Sequence, residues 1–245
     1  MEHMKDKKDT KGMEYTERHH AFISATFYKK LKSSHKEKGL EVFVIATQRY
    51  AEQRGSRMAQ RAIMLDMPLT FETYSALGEW EYSESFSNSV KERGMNRHIE
   101  TLSLSPDLTY DVLACPWHDQ YKAMGLLDGA LLYCEHLDLA ISRGFNPYLD
   151  FRVLQTLHNT DKCVFVLKDA NLKEPAKKLK EYQLPFEYHC AHIYWTFSAI
   201  SKSILKSEGS AISTSVLSDF AKEYNKNAAD RLLSYKHMDF NVLPD

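Results

Sequence analysis

The chain has 245 residues, of which 43% are hydrophobic and 27% charged, and 32 Lys and Arg against 33 Asp and Glu leave a formal net charge of -1. That balance excludes a broad nucleic-acid-binding surface and a polybasic membrane anchor. With 12% aromatic residues and only 9 Gly and 7 Pro, the composition excludes a mostly disordered, collagen-like or linker-rich chain and suits a domain with a sizeable core.

Residues 1–13 are nearly all polar and read as a disordered tail, without the apolar run of a secretory signal. No later stretch approaches the roughly 18 consecutive apolar residues of a membrane span, so the expected location is cytoplasmic. Residues 14–245 read as a single domain. Phe22, Ile23, Phe27 and Leu31 recur at three- and four-residue spacing and predict a helix over 15–34, broken by Gly39. A longer helix follows over 40–65, and a shorter one over 70–80 after Pro68. Residues 82–88 read as a polar, Ser-rich connection.

Residues 99–105 then alternate like a strand, Pro106-Asp107 supplies a turn, and 108–114 return as a second strand. Short and long helices are predicted over 118–124 and 128–143, the latter ended by Gly144 as a left-handed cap. Residues 148–157 and 163–168 read as two more strands, joined by His158-Asn159-Thr160-Asp161. A polar stretch of helical character over 173–182 precedes two final helices, 185–206 and 211–236. The fold class is therefore α+β: N-terminal helices, a central, mostly antiparallel four-stranded sheet with inserted helices, and C-terminal helices. No internal repeat is apparent.

The chain lacks a G-x-G-x-x-G turn, a Walker-type phosphate loop, a G-x-S-x-G elbow and an H-E-x-x-H helix. Cys115, Cys134, Cys163 and Cys190 form no C-x-x-C pair, which removes the usual structural zinc spacing. In a reducing compartment they are expected as free thiols.

Several clusters remain. Cys115 ends a strand just before Pro116-Trp117-His118, so a Cys115–His118 nucleophile pair is one reading and a buried thiol beside a surface histidine the other. Cys134 and Asp138 are four apart on one helix and therefore neighbours, with Asp138 at the edge of the apolar face, where a carboxylate needs a partner or a function. His189 and His192 are three apart, a spacing that serves zinc, proton transfer or plain packing. Arg54, Arg57 and Arg61 line one helix and suit a carboxylate ligand, or equally surface acids.

Taken together, the motifs resemble the L-2-amino-thiazoline-4-carboxylic acid hydrolase-like family. The elements that carry the resemblance are Cys115-Pro116, Tyr133-Cys134 with Asp138, Gly144-Phe145-Asn146-Pro147, and Thr156-Leu157 through Asp161 to Cys163-Val164-Phe165. Arg18-His19-His20-Ala21, Arg54-Gly55-Ser56-Arg57-Met58-Ala59, Gly78-Glu79-Trp80 and Ala191-His192-Ile193-Tyr194 add to it, so that it spans most of residues 14–235. Asn159-Thr160 departs from the pattern, where a glycine is expected before the acidic residue.

The resemblance implies an enzyme that opens a small heterocycle, a cyclic amidine or amide, by hydrolysis at an sp² carbon. On that footing Cys115 attacks or positions water, His192 or His118 moves the proton, and Asp138 orients the imidazole or holds the substrate amino group. Arg54 or Arg57 binds the carboxylate, and Glu79 and Cys134 complete the substrate pocket. No cofactor is required. One alternative is a zinc-dependent hydrolase with His189 and His192 joined by Cys115 or Asp138; another is a non-enzymatic small-molecule sensor domain. The expected partner is a small heterocyclic molecule, not nucleic acid or membrane. The long terminal helices suit either a homo-oligomer or closure of a monomer core.

Overall fold

Helical hairpins frame the molecule. The computed structural model describes residues 14–244; the predicted tail, 1–13, lies outside the described residues. Helix α1 (Glu17–Met64) consists of two arms that meet at Lys36, where the backbone turns to φ 50° and ψ -126°. In a straight helix residues eight apart are about 12 Å apart. Here a Cβ on Gly39 would lie 2.0 Å from the carbonyl oxygen of Leu31. The arms therefore fold back on each other, and Tyr28 meets Phe43 with ring centroids 5.3 Å apart. The predicted break falls three residues late: Lys36 makes the corner, and Gly39 lets the second arm pass the first.

The same device closes the other end. Helices α6 (Phe186–Leu205) and α7 (Ser207–Tyr224), numbered here by their place in the chain, meet at Lys206 with φ 56° and ψ -123°. A Cβ on Gly209 would lie 2.1 Å from the carbonyl oxygen of Ser201. The sequences match as well as the geometry. Glu17, His19, Ala21, Ile23, Thr26, Phe27, Lys32, Ser33, Lys36 and Gly39 recur 170 positions later as Glu187, His189, Ala191, Ile193, Thr196, Phe197, Lys202, Ser203, Lys206 and Gly209. The chain thus contains an internal repeat, contrary to the expectation from its motifs. Equivalent residues Phe27 and Phe197 touch, centroids 5.3 Å apart, as at a local two-fold axis between the hairpins.

Between the hairpins lie α2 (Phe71–Ala76), α3 (Glu84–Glu92), β1 (Ile99–Ser103), β2 (Leu108–Val112), α4 (Pro116–Ala123), α5 (Leu127–Phe145), β3 (Phe151–Gln155) and β4 (Cys163–Leu167). A terminal helix, α8 (Lys226–Ser234), follows α7. The sheet is wholly antiparallel, in the order β1-β2-β4-β3. Its register sets Tyr110 and Val153 on either side of Phe165, and Val112 beside Cys163, so that one face carries the apolar and aromatic side chains. The α+β class and the flanking helices are as expected.

Four local expectations change. The connection over 82–88 carries α3, whose Ser83 hydroxyl accepts the Phe86 amide at 3.2 Å; only Phe86 and Val90, one turn apart, are buried, too few for an apolar stripe. Over 173–182 only a single 3-10 turn, Lys180–Tyr182, forms. The last predicted helix divides at Asn225, where φ is 125° and the side chain accepts the Ala228 amide at 2.9 Å. Gly144 lies inside α5 and is no left-handed cap. It is there because a Cβ would approach the Glu52 carbonyl to 2.4 Å, just as one on Gly55 would approach the Ile141 carbonyl to 2.0 Å.

Those two glycines let α5 and the second arm of α1 touch backbone to backbone. The contact sets Arg54 opposite Asp138 and Ile141, and so defines one wall of the cavity described below. Replacing Gly55 by Ala forces the helices apart. The expected cost is about 1–3 kcal/mol, seen as a lower urea midpoint at unchanged denaturant dependence.

Candidate functional site

A cavity of about 200 Å³ lies between the helical core and the inner face of the sheet. The second arm of α1 contributes Arg54, α5 contributes Cys134 and Asp138, and β4 contributes Cys163. Cys115 reaches it from the junction of β2 and α4, where Pro116 occupies the first helical position, suited to a residue without an amide proton. His158 enters from the turn between β3 and β4. Tyr74, Trp80, Tyr82, Tyr110, Trp117, Tyr133 and Phe165 form aromatic walls, and the buried hydroxyl of Tyr133 has no protein partner.

The thiols differ in their partners. Cys134 Sγ lies 3.2 Å from His158 Nε2, and His158 Nδ1 lies 3.3 Å from His118 Nδ1, the two rings stacked at 5.3 Å. One proton arrangement makes both contacts hydrogen bonds with the base facing the sulfur: the thiol donates to His158 Nε2, and His158 Nδ1 donates to His118 Nδ1. Burial, with His118 beside it, lowers the His158 pKa to about 4, so its ring is neutral near neutral pH and can accept a hydrogen bond from the thiol. Burial also lowers His118. The result is a thiol, a base and a group that orients the base.

Among the described residues Cys115 has no imidazole partner. Burial pushes its thiol up to about 12, opposed in part by the amides of His118 and Trp117 at the start of α4, neither of which makes a full capping hydrogen bond. His118 thus faces His158 with its ring and Cys115 only with its backbone. Burial raises Cys134 well above the ordinary thiol value too. All four cysteines are free.

Asp138 and Arg54 are the charged pair of the cavity. Burial raises Asp138 to about 6, with Arg54 opposing the shift. No ion pair joins the two among the described residues. Arg54 is only 6% exposed, rests its guanidinium over the Trp80 ring at 3.5 Å, and leaves Nε without a hydrogen-bond partner.

Arg57, Glu79 and His192 do not line this cavity. They form the buried layer behind Arg54. Arg57 Nε and a terminal nitrogen donate to the two Glu79 oxygens at 3.0 and 2.7 Å, while Arg54 and Arg61 each approach Glu79 at 3.9 Å. His192 Nε2 donates to Gln53 Oε1 at 3.0 Å, and its Nδ1 faces Arg57 at 3.4 Å, so both ring nitrogens are engaged. His189 donates to the Glu79 carbonyl at 3.2 Å. Burial holds both rings well below the usual imidazole pKa, hence neutral. Among the described residues no group of three His, Cys, Asp or Glu side chains is arranged to hold a metal ion.

Of the residues singled out from sequence, Cys115, Cys134, Asp138 and Arg54 converge on one cavity. His118 stands one residue behind it, and Arg57, Glu79 and His192 brace it from the core. The residue missed is His158, which sits in an irregular turn that no periodicity marks; its only signal is its place just after a strand end. Glu79 neutralises a cluster that is otherwise wholly cationic. Glu79→Gln keeps its shape but not its charge and is expected to cost about 3–5 kcal/mol, read as a loss of urea stability.

Family comparison agrees with the motif order. The family model for L-2-amino-thiazoline-4-carboxylic acid hydrolase matches residues 15–167, which include Arg54, Glu79, Cys115, His118, Cys134, Asp138 and His158. No curated protein and no solved structure matches the chain. The matched stretch covers more than half of the residues and every element that lines the cavity, and the chain belongs to the L-2-amino-thiazoline-4-carboxylic acid hydrolase family.

Proposed function

We propose that this protein hydrolyses a small zwitterionic cyclic amidine of the L-2-amino-thiazoline-4-carboxylate type, with Cys134 as nucleophile and His158 as its base. The observation that carries this reading is the cavity's charge pattern. An unpaired carboxylate, Asp138, and an unsaturated guanidinium, Arg54, line one small chamber beside a thiol bonded to an imidazole. That pattern complements a ring with an amidinium at one end and a carboxylate at the other.

Asp138 pairs with the amidinium and Arg54 with the carboxylate. The bound cation beside Cys134 reverses the effect of burial on its thiol and favours the thiolate. His158 takes the thiol proton, and the sulfur adds to the amidine carbon. The ring carbon–sulfur bond then breaks, and the departing ring sulfur takes the proton from His158. This leaves the carbon joined to Cys134 as an isothiourea. Water, deprotonated by His158, adds to the same carbon, and the bond to Cys134 breaks with return of its proton. The sum is one water added and an N-carbamoyl thiol released. His118 keeps the His158 ring in the orientation this requires.

The test is mass-spectrometric turnover of L-2-amino-thiazoline-4-carboxylate. Wild type is expected to add one water. Cys134→Ser is expected to lose at least about 10³-fold in kcat and His158→Ala about 10²–10⁴-fold, while Cys115→Ser stays within about tenfold of wild type. Equal loss at Cys115 and Cys134, or full activity in Cys134→Ser, overturns the assignment. Tight binding without turnover favours a sensor.

The pH profile gives a separate check. Asp138 must be ionised to hold the amidinium, and burial sets its pKa at about 6. The free-enzyme profile, kcat/KM, is therefore expected to rise as pH climbs through about 6, and Asp138→Asn is expected to remove that limb together with most of the rate.

A further inference from the structure

A second chamber of about 390 Å³ adjoins the first. The two share Arg54, Tyr74, Ile99, Tyr110 and Ile141 in their walls. Besides Arg54, the outer chamber is lined by one other charged residue, Lys178, and its lining includes no Asp, Glu or His. Lys178 belongs to a strap held at one end by the Leu172 amide on the Leu104 carbonyl (3.0 Å) and at the other by the Leu179 amide on the Ala76 carbonyl (3.0 Å).

Lys178 is exposed overall, and its side chain stands between the outer chamber and the open depression beside Glu81. Nζ donates to the Trp80 carbonyl at 3.1 Å and lies where a Cβ on Gly78 would come within 2.8 Å of it. The ring of the same Trp80 supports the Arg54 guanidinium at 3.5 Å. Two cations thus meet at one residue, Arg54 on the Trp80 ring and Lys178 on its backbone carbonyl, and line a chamber whose walls carry no carboxylate. Such an arrangement attracts an anion.

Building on the hydrolase reading, we propose that Lys178 is the second half of a carboxylate clamp with Arg54, and that the outer chamber is the compartment through which the carboxylate end of the substrate is read. The ring then points past Arg54 into the inner chamber, toward Cys134 and Asp138. Lys178 is a specificity-determining residue. It lies beyond residues 15–167, so the stretch that matches the family supplies the reaction chamber and the following strap supplies the second contact to the carboxylate.

The charged and titratable groups around Lys178 are Arg54 on the chamber side and Glu81, Glu84, Lys91 and His98 in the open depression on its other side; Glu81 also holds Lys180 at 2.8 Å. Enclosure of the ammonium, with Arg54 next, lowers the Lys178 pKa to about 8. Its charge is therefore present below that pH and fades above it.

Calorimetric binding separates the clamp from the chemistry. The probes are L-2-amino-thiazoline-4-carboxylate and the same ring without its carboxylate, each titrated into protein carrying Cys134→Ser to block turnover, with position 178 wild type, Lys178→Met or Lys178→Arg. Wild type is expected to prefer the carboxylate compound. Lys178→Met is expected to weaken that compound about tenfold and leave the other unchanged, with Lys178→Arg restoring the preference. Wild-type affinity for the carboxylate compound is expected to fall above pH 8 or so, and that of Lys178→Arg to stay level across the same range. An equal loss on both probes, an undiminished preference in Lys178→Met, or no preference in wild type overturns the clamp. The expected binding pattern, without turnover by the protein that keeps Cys134, overturns only the hydrolase reading.

Discussion

One carboxylate holds this site in place. Glu79 is fully buried and meets three guanidinium groups, taking Arg57 bidentately and holding Arg54 and Arg61 at longer range. Three such charges along one helix repel each other, and burial amplifies that repulsion. Without Glu79 the second arm of α1 could not face the core. With it, Arg57 is saturated and Arg54 is left short of partners at the cavity wall. The residues behind Arg54 follow the same logic. His20, His189 and His192 are neutral because they are buried, and they meet the cluster with lone pairs or with bonds to oxygen rather than with further charge.

The chemistry of the cavity depends on a second balance. Its thiols are insulated, so Cys115 and Cys134 both rest as neutral groups. A neutral thiol is a poor nucleophile, which protects the site from indiscriminate reaction. Cys134 differs from Cys115 in having an imidazole within hydrogen-bond reach and a carboxylate one helical turn away. In the proposed reaction, a cationic ligand on Asp138 would supply the charge that the resting site withholds. Substrate and nucleophile would then be activated by the same contact, and a neutral ring would gain little from this pocket.

The repeated hairpin builds the frame in which the site is set. Lys36 with Gly39, and Lys206 with Gly209, build the same corner, and the two hairpins meet through Phe27 and Phe197. The copies have diverged in use. The second arm of the first hairpin carries the arginines, while the first arm of the second carries His189 and His192 to cover them. The sheet and α5 lie between the copies in the chain, and the cavity forms where they meet the paired hairpins.

Much of this was legible in the residues themselves. Periodicity marked the long helices, alternation marked the four strands, and the i,i+4 spacing of Cys134 and Asp138 placed both on one face. These are local properties, carried by helix and strand geometry wherever the segment lies. The order of short motifs was enough to indicate the family. Helix α3 escaped because its apolar face is only Phe86 and Val90, and the corner at Lys36 escaped because a non-glycine residue with positive φ leaves no trace in composition. The pairing of thiol with base was not local. Cys115 and His118 are close in sequence, yet the imidazole that reaches a thiol is His158, on Cys134. Nor could spacing say which of Arg54, Arg57 and Arg61 keeps free donors, since that depends on where Glu79 lands. Local patterning accounts for most of the elements and for the stock of reactive groups. Which of those groups meet is settled by the fold, because burial and charge neutralisation are properties of contacts between segments distant along the chain.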